Sequence, residues 1–168
     1  MLIDMVRLLL FPAAMAFAAS SDLLTMTISN RLSLLLVGGF FGLAFVIGMS
    51  PATLGLHLGA GLLVLAVTFV IFAQGWIGGG DAKLAAATAL WLGFDQLLTY
   101  LLYASMLGGA LTLLLIRFRL QPLPDMLAGQ QWVQRLHQRD AGVPYGIALA
   151  AAAVIVYPET TFMAVPTQ

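Results

Sequence analysis

Not one cysteine occurs in the 168 residues of this chain. Disulfides and thiolate-ligated zinc are therefore excluded. Charge is almost as scarce. Only 8% of the residues are Asp, Glu, Lys or Arg, against about 25% in an ordinary soluble domain. Seven basic and seven acidic residues cancel, so no cationic face is available for nucleic acid. Lys83 is the only lysine, and the two histidines, His57 and His137, are too far apart in sequence to suggest a metal site.

What is present is apolar, at 61% of the chain. Such a chain cannot cover its own surface with polar groups, so its solvent is lipid. Lipid offers the backbone no hydrogen bonds, which leaves helices or a closed barrel. The apolar runs are long and do not alternate, and this predicts helices. A first run extends from about Ile3 to Asp22. No full charge occurs between Leu32 and Gly80, room for two spans that turn at Gly48-Met49-Ser50-Pro51. A short run from Leu84 to Phe94 ends at Asp95, and an uncharged run from Gln96 to Ile116 follows; the latter would be about 31 Å long as a helix. After a polar stretch at about 117–142 comes a last apolar run, Val143 to Tyr157. The expectation is an all-α, polytopic bundle of about six transmembrane spans over residues 1–168, with no separate soluble domain.

Basic residues orient it. With an outside N-terminus, the loops after spans one, three and five hold Arg31, Lys83, Arg117, Arg119, Arg135 and Arg139, and the opposite side holds only Arg7. That bias puts those loops in the cytoplasm and both termini outside. A rival reading makes Ala16-Phe17-Ala18 a signal-peptide cleavage site. It would leave five spans and reverse the favoured sidedness, so the loop charges argue for six.

Most polar residues have simple expected roles. Asp4, Arg7, Asp95 and Glu159 fall near span ends, where water reaches. The four arginines of the polar stretch fit a cytoplasmic surface facing anionic lipid. His57 fits a satisfied polar residue, and Trp76, Trp91, Tyr100 and Tyr103 fit interfacial anchors. Asp22 and Asp81 do not reduce so easily, because both fall at the cytoplasmic ends of apolar spans. At one depth they can meet; they could not then both ionise cheaply and would share a proton, as an acid–base pair does. The other reading is two unrelated interfacial aspartates, solvated or paired with Arg31 or Lys83. Gly78-Gly79-Gly80 precedes Asp81. It is either bare backbone that admits an extended substrate strand or a plain interhelical turn. The phosphate-loop pattern is absent.

Gly78-Gly79-Gly80-Asp81 matches the GxGD signature of membrane aspartic proteases, and the continuation GGGDAKLAAATALWLG resembles the type IV prepilin peptidases. In that family the other catalytic aspartate follows the first span and precedes an Ile-Pro-Asn element. DLLTMTISNRLS is similar, with Asp22 as the aspartate and Ile28-Ser29-Asn30 as the element, Ser29 replacing the proline. Val143-Pro144-Tyr145-Gly146-Ile147-Ala148 resembles the family's final span. The resemblance implies an aspartic endopeptidase of the bacterial inner membrane. It would cleave the positively charged leader of a prepilin at the cytoplasmic face, ahead of the pilin's hydrophobic helix. Asp22 and Asp81 would be catalytic, with Gly78, Gly79, Gly80, Lys83 and Asn30 around the substrate. No metal or organic cofactor is implied, and the partners are prepilin and lipid, not nucleic acid. Larger members add a cysteine-bearing domain and N-methylate the product. This chain is similar instead to the short, peptidase-only form that serves Flp-type pili.

Two enzyme-free readings compete: a small transporter or channel subunit using Asp22, Asp81 and Lys83 as a proton or cation path, and a structural membrane subunit. A presenilin-type protease shares GxGD but needs a Tyr-Asp element, which this sequence lacks.

Overall fold

The computed structural model describes residues 2–164; Met1 and residues 165–168, and with them both termini, lie outside the described residues. Eight α-helices follow in order among the described residues: α1 (Leu2–Thr25), α2 (Asn30–Val46), α3 (Pro51–Ala73), α4 (Gly79–Leu120), α5 (Asp125–Ala128), α6 (Gln131–His137), α7 (Tyr145–Val156) and α8 (Thr161–Ala164). A single 3-10 turn at Tyr157–Glu159 separates the last two, and no strand is present among the described residues. The all-helical expectation holds. By length and composition α1, α3 and α4 can each cross a membrane, while α2 and α7 belong to shorter apolar segments.

Helix starts follow local chemistry. Ser50 caps α3, its hydroxyl accepting from the Thr53 amide at 3.2 Å, and Pro51 sits at the first helical position. Ser29 caps α2 in the same way, accepting from Leu32 at 3.4 Å. The residue that replaces proline in the family-like element therefore fixes the turn by a hydrogen bond.

α4 determines the architecture. Its 42 residues would make a rod of about 63 Å if straight, twice the hydrocarbon thickness. Gly93 breaks it, with φ 67° and ψ −178°. Both ends of α4 lie by the C-terminal end of α1. Asp81 interacts with Asp22. At the other end Arg119 Nε donates to the Leu136 carbonyl at 2.8 Å, and neighbouring Arg135 donates to Leu24 at 2.9 Å. A straight rod could not do both, so α4 doubles back at Gly93 into two limbs, 79–92 and 94–120. The six apolar runs expected from the sequence thus correspond to α1, α2, α3, the two limbs and α7. The fourth begins five residues earlier than expected, because Gly79 and Gly80 are already helical.

α4 forms the centre of the bundle, packed chiefly against α3 and α7 and next against α2, while α1 reaches its first limb through the Phe11 ring on Trp91. His57 on α3 covers the break. A Cβ on Gly93 would lie 3.0 Å from its Cε1, and its Nδ1 donates to the Leu90 carbonyl at 2.8 Å, replacing a ladder partner that the break removes. His57 is thus the satisfied polar residue expected, though buried.

Three expectations are corrected here. Trp91 and Tyr100 are fully buried core residues, not interfacial anchors; Trp91 Nε1 donates to the Leu36 carbonyl at 2.8 Å. Arg7 is only 6% exposed and does not rest in headgroups. Its guanidinium donates to the Phe162 carbonyl, through Nε at 2.6 Å and also through Nη2, while Tyr157 Oη donates to the Arg7 carbonyl at 2.6 Å. It clasps the C-terminal segment to α1, because a free carbonyl inside the bundle offers an arginine more than the interface does. Finally, Arg119 and Arg135 are half-buried and occupied by carbonyls, including Gly142 at 2.8 Å from Arg119 Nη2. Only Arg117 and Arg139 have the exposed placement expected of all four. Buried Val133 and Leu136 anchor α6 against the bundle, and the arginines follow that packing.

Candidate active site

Asp22 lies in the last turn of α1, pointing inward and only 5% exposed. An apolar bundle holds such a carboxylate only if something donates to it. The donor comes from α7. Pro144 precedes that helix, and its first amides have no carbonyl one turn back. One of them, Gly146 N–H, donates to Asp22 Oδ2 at 2.8 Å. The positive end of the α7 dipole thus faces the acid. Glycine is required there: a Cβ would sit 2.8 Å from Asp22 Oδ2 and 2.7 Å from Ile28 Cδ1.

Asp81 occupies the first turn of α4, behind an N-cap at Gly78. Its carboxylate interacts with that of Asp22 and with the amides of Gly78 and Gly146. α1 and α4 therefore bring the two acids together, as the matched-depth reading expected, and α7 supplies an amide between them. Neither carboxylate has a basic partner among the described residues. Lys83, the candidate partner on the bland reading, donates instead to Asn30 Oδ1 at 2.8 Å. Two residues along a helix is about 200°, so Lys83 and Asp81 point to opposite sides of α4. Lys83 and Asn30 tie α4 to α2 and are not part of the carboxylate pair.

The glycines need a correction. None of Gly78, Gly79 and Gly80 has a positive φ; Gly78 is extended at φ −72° and the other two are helical. The segment is a helix start, not an open loop. The space beside Gly80 is filled by the chain itself, because a Cβ there would lie 3.1 Å from Ile28 Cβ and 3.3 Å from Ile28 N. Gly79 would meet the Phe72 ring at 3.2 Å, and Gly78 would meet Asp81 Oδ2 at 3.1 Å. Close approach is what these glycines provide. It brings the α1–α2 turn onto the start of α4 and so sets Asp22 against Asp81.

Gly146 and Ile28 stand in the sequence only as members of family-like elements, and the structure gives each a part in holding Asp22. The Val143–Ala148 stretch did carry a signal, since a glycine directly after Pro-Tyr at a helix start suggests a close backbone approach. Its partner, 124 residues earlier, is visible only in three dimensions.

No curated protein and no solved structure gives a significant match to this chain. The type IV leader peptidase family does match, over residues 9–113. That stretch is more than half of the 168 residues and runs from α1 into the second limb of α4, taking in both Asp22 and Asp81. On that match, the chain belongs to the type IV leader peptidase family.

Proposed function

We propose that this chain is a membrane aspartic endopeptidase that removes the leader of type IV prepilins, with Asp22 and Asp81 as the catalytic pair. The observation that carries the proposal is the meeting of a buried carboxylate, Asp22, with a half-buried one, Asp81, neither having a basic partner among the described residues. An ion-pair network or a solvated interface would leave them differently placed.

The reaction divides between them. Asp22, fixed by the Gly146 amide, suits the base. It takes a proton from water as the water oxygen bonds to the scissile carbonyl carbon. Asp81, whose Oδ1 has no donor among the described residues, suits the acid and protonates the carbonyl oxygen. The tetrahedral intermediate then collapses: the proton on Asp22 goes to the leaving nitrogen, the C–N bond breaks, and one hydroxyl of the intermediate returns its proton to Asp81. This is the proton sharing of two adjacent carboxylates.

The acids belong to the cytoplasmic face in a six-span arrangement with both termini outside. Residues 117–142 form the cytoplasmic segment of one transmembrane peptidase domain in the inner membrane. Six of the seven basic residues favour this sidedness. Among family substrates we favour Flp-type prepilins, on the similarity of this cysteine-free chain to the peptidase-only form. The test is cleavage of a synthetic prepilin by full-length protein in lipid vesicles. Asp22→Asn and Asp81→Asn should each insert normally and lose several orders of magnitude in kcat, since members of a catalytic unit fail together. Wild-type cleavage by either variant would remove the assignment.

A further inference from the structure

Three buried side-chain polar atoms lack a protein hydrogen-bond partner among the described residues: Ser33 Oγ, Asp81 Oδ1 and Tyr100 Oη. An unmet polar atom in a core is costly, so each of them asks for an explanation. The last two share one.

Tyr100 is fully buried. It stands on the second limb of α4, seven residues past the Gly93 break, and Thr88 stands on the first limb, five residues before it. Since the limbs run back along one another, these two face each other about 7–10 Å below the break. The Thr88 hydroxyl lies beside the Tyr100 hydroxyl, and Tyr100 feels the charge of Asp81. Thr88 is also seven residues, two helical turns, beyond Asp81, so both project from one face of the limb. Its own hydrogen bond goes to Met15 Sδ at 3.9 Å, and sulfur is a weak acceptor. A polar line thus leads from the acid pair into an otherwise apolar core. It has an open acceptor at one end, an open donor at the other, and a hydroxyl able to do both between them.

We propose that buried water joins Asp81 Oδ1 to the Tyr100 hydroxyl past Thr88, making Tyr100 a positioning residue for Asp81. An internal water needs two to four polar partners, and Asp81 Oδ1, the Tyr100 hydroxyl and the Thr88 hydroxyl are the three on offer here. Tyr100 donates into the link and water donates to Asp81 Oδ1, which fixes the orientation of that carboxyl from below. The other groups facing Asp81 are Asp22 from α1 and the amides of Gly78 and, from α7, Gly146. None of them reaches Oδ1. The assignment of a catalytic consequence rests on Asp81 being a catalytic acid; the water link itself does not.

The experiment compares Tyr100→Phe, Thr88→Val and Thr88→Ser in the full chain, in vesicles with a synthetic prepilin, and adds infrared spectroscopy. The Asp81 carboxyl stretch is identified by its loss in Asp81→Asn. Tyr100→Phe keeps the ring and removes one hydroxyl. It should shift that stretch, lower kcat roughly tenfold or more, and leave KM within about twofold. Thr88→Val should do the same more weakly, and Thr88→Ser should restore both readouts. An unchanged Asp81 stretch in Tyr100→Phe would overturn the water link. So would a rise in melting temperature, the result expected if an orphan hydroxyl were simply deleted. A shifted stretch with normal cleavage in Asp81→Asn would instead keep the link and remove the catalytic reading.

Discussion

Gly146→Ala adds one methyl group at the point where α7 meets α1. The new Cβ would lie 2.8 Å from Asp22 Oδ2 and 2.7 Å from Ile28 Cδ1, each several tenths of an ångström inside an ordinary contact. The Ile28 methyl is at the end of a side chain and can give way. Asp22 cannot, because its Oδ2 is already held by the Gly146 amide at 2.8 Å. Relief therefore moves either the carboxylate or the start of α7, by roughly 0.5–1 Å. Overpacking a tight core costs about 1–3 kcal/mol, which thermal unfolding in detergent should register as a lower melting temperature. Misplacement of a reacting group by about 1 Å can cost on the order of a hundredfold in rate. In the vesicle assay kcat should thus fall far more than the small loss of stability could explain, with KM little changed. Gly109→Ala is the control, since nothing lies within 4 Å of its Cβ position; it should be neutral or slightly stabilising. A Gly146→Ala protein with wild-type kcat would refute the claim that this amide positions Asp22.

Gly93→Ala puts a side chain at φ +67° and against the His57 ring at 3.0 Å, so it should destabilise by about 1–3 kcal/mol. A melting temperature equal to wild type would mean that α4 does not double back there. The lack of native cysteine allows a clean topology test. Thr25→Cys and Met126→Cys should react with an impermeant thiol reagent from the cytoplasmic side only, and Ser50→Cys from the outside only; reversed labelling at 126 would overturn the six-span arrangement.

The helical class and the order of the apolar segments were legible because lipid permits so few backbone solutions. A run of uncharged residues says helix with little ambiguity. Which face of each helix turns inward was less legible. The all-round apolar helices give hydropathy no contrast between core and lipid, so sequence alone places Arg7, Trp91 and Tyr100 at interfaces although they lie inside. The acid pair was legible through depth. Two carboxylates at the same end of a bundle have few ways to avoid each other, and the structure brings Asp22 and Asp81 together. What depth could not reveal was the way they are held. The Gly78–Gly80 run suggested freedom, whereas in three dimensions it is occupied space, filled by Ile28, Phe72 and Asp81. Glycine looks the same in sequence whether it supplies conformational range or lets a neighbour come close, and only the neighbour distinguishes the two. Gly146 makes the same point. Its amide serves an acid from the other end of the chain, so its value depends on a contact that no local pattern encodes. The candidate site is built less by the acids' own segment than by the glycines that let three helices converge on them.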